Sequence, residues 1–267
     1  MAYNNHKIFL SFLLILFVSV AVFSCKGNDS EKQSKPASEI SDYASLITAG
    51  LQMITDKDYK AALTYLDKAI ETDSSNFIGY RIRGGAKVLT DDFQSALEDY
   101  SKAVSLNPND TLSIYGLADT YTYIKEYKKA VEQYNKVLKL DPNNASAYRD
   151  RGNAEMWMDE YISAESDFSQ SISLNPNDPD AYFGRGNARL YLKKYPEAEE
   201  DFSEVIKLDP KSAVGYLKRG IARSYLEDNL GACLDWSKAE KLGSLKATTF
   251  KMKYCQKKEK EAKNILK

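Results

Sequence analysis

The chain has 267 residues, with 37 Lys and Arg against 38 Asp and Glu, so it carries neither the basic excess of a nucleic-acid binder nor an acidic tail. Its single histidine, His6, lies in the first few residues, which removes His-based acid–base catalysis, Ser-His-Asp and Cys-His nucleophiles and His-rich metal sites from the body of the chain. P-loop, dinucleotide-glycine, Gly-x-Ser-x-Gly and Cys-x-x-Cys signatures are missing too, so no catalytic residue, cofactor or metal is expected.

Residues 1–25 read as a separate element. A short polar start carrying Lys7 leads into the apolar run Ile8 to Phe23 and then Ser24 and Cys25. The run is shorter than the ~20 residues of a spanning helix and ends on a small residue, as secretory signal peptides do. "VFSC", Val22 to Cys25, resembles a bacterial lipobox, although Phe23 is bulkier than that pattern usually has. The resemblance implies that Cys25 becomes the lipidated first residue, which would anchor the protein to a membrane of the bacterial cell envelope; the alternative is an uncleaved signal anchor with Cys25 an ordinary residue of the apolar segment. Residues 26–42 are polar, with Gly27 and Pro36 and no apolar period, and are expected to form a flexible tether. An exported compartment permits a disulfide between Cys233 and Cys255, and buried free thiols are the alternative.

From Tyr43 the chain repeats. Asn107-Pro108, Asp141-Pro142, Asn175-Pro176 and Asp209-Pro210 recur every 34 residues, and a frame of that length gives six units over 43–246. Two series of small residues run through all six: Gly50, Gly84, Ala118, Gly152, Gly186 and Gly220, then Ala62, Ala96, Ala130, Ala164, Ala198 and Ala232. They mark places where two helices approach too closely for a larger side chain. Large apolar residues recur at Leu66, Tyr100, Tyr134, Phe168, Phe202 and Trp236, and aromatics at Tyr59, Phe93, Tyr127, Tyr161 and Tyr195, at spacings suited to the inner face of a second helix. The prolines stop that helix, since Pro lacks the N–H and disfavours helix in the residue before it.

This pattern of aromatic, Gly, Ala, aromatic and Pro resembles tandem tetratricopeptide repeats. The resemblance implies an all-α, right-handed superhelical solenoid of six antiparallel helix pairs, whose concave groove is lined mainly by the first helix of each pair. Residues 247–267 are expected to form a C-terminal capping helix with a solvated, lysine-rich tip. A basic contact to anionic lipid or nucleic acid is the weaker reading of that tip, because it lacks a wide apolar face.

Four arginines precede the repeat's Gly, at Arg83, Arg151, Arg185 and Arg219, and Asp99, Asp167, Asp201 and Asp235 follow them sixteen residues later. The first and third units lack both partners together, so the pairs are expected to be structural ion pairs joining the two helices of a unit.

The faces that tetratricopeptide grooves use imply Arg81, Tyr115, Asp119, Tyr123, Arg149, Asp150, Asn153, Trp157, Phe183, Asn187, Tyr191, Lys218 and Tyr225 as groove residues. Trp157 has two readings, an anchor for a ligand or packing between helices. Some cytosolic members hold a terminal carboxylate with a Lys/Asn/Asn/Lys/Arg clamp. Here Arg149 and Asn153 fit its first two places, but Gly184, Val214 and Lys218 stand at the rest, so chaperone C-terminus binding is not expected. Arg149, Asn153, Asn187 and Lys218 remain as a donor cluster for an acidic or amide-rich segment. Asp91-Asp92 and Glu199-Glu200-Asp201 fall on ordinarily solvated helix surface. The expected function is a non-catalytic adaptor binding a protein or peptide, with no nucleic-acid partner. A self-assembling scaffold, and behind it an enzyme-accessory subunit, are the alternatives.

Overall fold

The computed structural model describes residues 41–265; the apolar run, Cys25 and the tether up to residue 40 lie outside the described residues. The described residues are all-helical, with thirteen helices in consecutive antiparallel pairs: α1 (Tyr43–Thr55), α2 (Tyr59–Thr72), α3 (Phe77–Leu89), α4 (Phe93–Leu106), α5 (Thr111–Tyr123), α6 (Tyr127–Leu140), α7 (Ala145–Trp157), α8 (Tyr161–Leu174), α9 (Pro179–Tyr191), α10 (Tyr195–Leu208), α11 (Ala213–Tyr225), α12 (Asn229–Lys241) and α13 (Leu245–Ile265). None of them is long and apolar enough to cross a membrane. They form two compact units, one ending at Leu140 and one beginning at Asp141. In each unit the first helices of neighbouring pairs touch one another directly, which lays them side by side along one face.

Local chemistry repeats with the period. Asp42, Asn76, Asp110, Asn144, Asp178 and Ser212 cap the first helices, each side chain accepting from a backbone N–H of the first turn. Each first helix ends on a left-handed residue, Lys57, Asp91, Lys125, Asp159, Lys193 or Glu227, with φ between 60° and 64°. The next N–H then bonds back into the helix, as Asp58 N does to Met53 O at 2.9 Å, so the helix is closed by a left-handed C-terminal cap. Before Pro108, Pro176 and Pro210 the residues Asn107, Asn175 and Asp209 are held extended, and the side chain adds a turn bond: Asn107 Oδ1 accepts from Asn109 N at 3.2 Å and Asp209 Oδ1 from Lys211 N at 3.0 Å. Asp73, followed by Ser74 instead of Pro, does the same toward Ser75 N at 3.0 Å, so the Asx side chain suffices for the turn.

The core is a stack of one large side chain per pair against small ones. Leu66, Tyr100, Tyr134, Phe168, Phe202 and Trp236 are almost fully buried, as are all six alanines of the second small series. A Cβ on Gly152 would sit 3.3 Å from the Phe168 ring, and one on Gly184, in the next pair, only 2.4 Å from it. Phe168 is thus held between two glycines of successive first helices, and Tyr100 likewise between Gly84 and Gly116. The aromatics Tyr59, Phe93, Tyr127, Tyr161 and Tyr195 depart from the expectation of an inner-face series. They are the first residues of the second helices and are half-buried at the turn.

The final helix begins at Leu245, two residues before the expected boundary, because Gly243 (φ 93°) ends α12 and Ser244 Oγ accepts from Ala247 N at 3.3 Å. It packs on α12 through Ala247 and Phe250 against Trp236, and a disulfide joins Cys233 to Cys255.

Candidate functional site

The arginine at the repeat's Gly forms the same constellation four times. Arg83 reaches Asp99 by Nε and Nη2 at 2.9 and 2.6 Å, and Arg151 reaches Asp167 by the same two atoms at 2.6 Å each. Arg185 Nη2 lies 2.7 Å from Asp201, and Arg219 Nη2 lies 2.7 Å from Asp235. Each guanidinium also stands over the ring three residues earlier, Tyr80, Tyr148, Tyr182 or Tyr216, at 5.5–5.7 Å. Arg83, Arg185 and Arg219 also extend to the preceding second helix, at Asp67, Ser169 and Ser203. The phrase "YRDRG" is therefore largely a tie between helices.

A second cation completes most of these knots. Lys87, Arg189 and Arg223 lie four residues after the arginine, one turn along the same helix face, and bond Asp99, Asp201 and Asp235 at 2.7, 2.8 and 3.0 Å. The sequence reading missed them, although the spacing of four was there to be seen. In the fourth pair that place holds Glu155. It is buried, its Oε2 has no hydrogen-bond partner among the described residues, and burial beside Asp167 pushes its carboxyl up to about 8. Arg151 opposes part of that shift, and its own pKa is raised by the Asp167 hydrogen bonds.

Several expected groove residues have structural duties instead. Arg81 Nη1 bonds both oxygens of Asp110, the cap of the next first helix, at 2.9 and 3.1 Å. Arg149 Nη1 bonds one oxygen of the equivalent cap, Asp178, at 2.8 Å, and the same side chain grips the buried Asp150 through Nε at 3.0 Å. Asp119 is buried and accepts from the Tyr134 hydroxyl. In these four the charge is already engaged within the fold, because a charge tucked between adjacent first helices must be paired where it stands. Tyr115 packs edge-on against Tyr134, and Tyr123 stacks on Phe93.

What remains lies in the second unit. Asn153, Asn187 and Lys218 project from α7, α9 and α11, which lie side by side, and all three are half-buried. The Phe202 ring below Phe183 has no hydroxyl to match the one Tyr134 offers Asp119, so Asn187 donates its amide to Phe183 O at 2.9 Å and its Oδ1 is left buried without a partner among the described residues. Lys218 has no carboxylate at ion-pair distance among the described residues, and burial, followed by Lys246, lowers its pKa. Trp157, Tyr191 and Tyr225 stand apart from this face. They end their helices at the turn, 70%, 62% and 60% exposed. Glu199 pairs with Arg223 and Asp201 with two arginines, so the acidic run is engaged, and no group of metal-ligating side chains occurs among the described residues.

Comparison with known proteins gives one consistent answer. Residues 118–156 match the "TPR repeat" family model and residues 179–212 the "Tetratricopeptide repeat" model. No curated protein matches the chain. Among solved structures, MamA is similar at 27% identity over 62% of this chain and 96% of its own, with a TM-score of 0.58. PilF of Pseudomonas aeruginosa is similar in fold at 19% identity over 79% and 97%, with a TM-score of 0.69. YrrB, described as a TPR protein with an unusual peptide-binding site, is similar in fold at 23% identity over 70% and 97%, with a TM-score of 0.62.

Proposed function

Because this chain is a tetratricopeptide-repeat protein, whose fold serves protein–protein interaction or scaffolding, we propose that it is a non-catalytic adaptor of the bacterial cell envelope that holds a peptide segment on the inner face of its second unit. The observation that carries this reading is that, among the described residues, Asn187 Oδ1 has no hydrogen-bond partner and Lys218, on the neighbouring first helix, has no carboxylate at ion-pair distance, on a face where every other expected charge is already tied. A buried amide carbonyl without a donor costs free energy until something donates to it, and a half-buried ammonium favours an anion. Together with Asn153 they suit a segment offering a backbone N–H to Asn187 and a carboxylate to Lys218. Phe183 supplies apolar area between them.

Export is supported by the Cys233–Cys255 disulfide, which persists in an oxidising compartment, and by the signal-like start. The lipid would sit on Cys25, with residues 26–42 as the tether. Metabolic labelling with a radioactive fatty acid should mark the wild type and not Cys25→Ser; equal labelling removes the anchor. For the groove, a displayed peptide library should enrich carboxylate-bearing sequences on the wild type and lose them on Asn187→Ala/Lys218→Ala. Enrichment of the same sequences by both forms rejects the groove reading.

A further inference from the structure

Of the exposed large apolar side chains, Trp157, Ile162, Tyr191, Tyr225, Leu226 and Leu230 belong to one edge of the second unit, where first helices turn into second helices, and Leu234 follows Leu230 one turn along α12. The edge is continuous. Tyr161 stacks on Tyr191 of the next pair at 4.5 Å, and Tyr195 on Tyr225 at 4.5 Å. Ile162, Pro196 and Leu230 are equivalent positions, 34 residues apart, and project beside these rings. The ring stack recurs in the first unit, where Tyr123 lies on Phe93, but the place of Ile162, Pro196 and Leu230 holds Lys60, Gln94 and Lys128 there, so the apolar residues that widen the stacks into a ridge belong to the second unit. A soluble surface of this kind, linear and rimmed by charge, marks an interaction site.

We propose that this ridge docks an amphipathic helix of a partner protein, lying across the three pairs, with basic residues toward both ends and acidic residues at its middle. The turn residues supply the complement. Asp159 and Glu160 flank the fourth pair, Lys193 and Lys194 the fifth, Glu227 and Asp228 the sixth, and all six are exposed; Lys194 also pairs with Glu165, Asp159 accepts from the Tyr161 hydroxyl and Asp228 caps α12, so Glu160, Lys193 and Glu227 are the charges that lead the pattern. Packed helices lie about 8–10 Å apart, which at about 1.5 Å per residue is about five to seven residues of a crossing helix. An apolar residue at each heptad would therefore meet one pair. A second copy of this chain is a poor occupant. Two-fold pairing of the ridge sets acidic fourth pair against acidic sixth and lysine against lysine at the centre, and like charges in register are costly. The four carboxylates likewise oppose an anionic bilayer.

Trp157 gives the ridge its own reporter, because the other tryptophan, Trp236, is buried under α13. The full chain is reconstituted in nanodiscs and titrated with a designed helical peptide of about 21 residues, Leu at each heptad, Lys in the outer thirds and Glu in the middle. A blue shift of the exposed-tryptophan emission with saturable binding is expected. Affinity should fall about tenfold or more for a charge-reversed peptide and for Leu230→Glu/Leu234→Glu. Asn187→Ala/Lys218→Ala should leave it unchanged, which separates this site from the inner face. Equal affinity for the charge-reversed peptide overturns the proposal. So does quenching of Trp157 by brominated lipid without peptide, or a dimer that Leu230→Glu dissociates.

Discussion

Arg149 of one repeat is bonded to Asp178, the helix cap of the next, at 2.8 Å, and Arg81 and Asp110 repeat the arrangement in the first unit. The acidic cap thus serves two helices, since Asp178 also accepts from Asp180 N at 3.0 Å. Both charges of the Arg149 pair are about nine-tenths buried, so removing one strands the other. Arg149→Ala is expected to lower stability by ~2–4 kcal/mol, read as a fall in the urea midpoint. A change below ~1 kcal/mol would place the pair with exposed ones.

Glu155 makes the fourth repeat pH-sensitive. Its folded carboxyl titrates at about 8 against an ordinary 4.5, because it is buried and faces Asp167 and Glu160 with Arg151 as the opposing cation. Between those values the folded state binds a proton that the unfolded state has lost, so this group's contribution to stability falls as pH rises from about 4.5 to about 8. Glu155→Gln should flatten that slope and raise stability above pH 8 by ~1–3 kcal/mol, since a neutral amide escapes the cost of a buried charge. Parallel stability–pH curves for the two proteins would refute this.

Gly184 sets helix propensity against packing. An exposed helical Gly replaced by Ala gains ~1 kcal/mol, yet here the new Cβ would lie 2.4 Å from Phe168 Cε1 and Cζ. Overpacking of this kind costs ~1–3 kcal/mol and more when the neighbour is fixed on its other side, as Phe168 is by Gly152. Gly184→Ala should therefore lower the Tm, and adding Phe168→Leu should recover part of the loss. A rise in Tm for the single substitution would show that the ring moves freely.

The fold was legible because its signals act locally and repeat. Asn or Asp before Pro closes a turn by its own side chain, and a Gly facing an aromatic sixteen residues on reports a close helix contact; neither depends on distant chain. The pairing of Arg151 with Asp167 was readable for a further reason: the two residues are lost together in the first and third units. Groove membership was much less legible. Arg149 and Asn153 are one helical turn apart, and what separates them is an aspartate 29 residues from Arg149, in another repeat. Asn187 differs from Asp119 through the hydroxyl that Tyr134 has and Phe202 lacks, a contact no spacing rule encodes. Glu155 was overlooked since its meaning comes only from the cations at Lys87, Arg189 and Arg223.

The Cys233–Cys255 bond joins α12 to α13. Cys255 is 22 residues beyond Cys233, and closing a loop of that size stabilises by ~3 kcal/mol on the chain-entropy estimate. In a repeat array stability is near-neighbour in character, so the loss on reduction should be local. The fully oxidised chain and Cys233→Ser/Cys255→Ser are compared by amide exchange. Faster exchange is expected through α13 and around Trp236, which rests on Phe250 and Tyr254, with α7 to α9 unchanged. Loss of protection throughout α7 to α9 would mean that the second unit opens as one body, and the ridge formed by Trp157, Tyr191 and Tyr225 would then lose its docking geometry under reducing conditions.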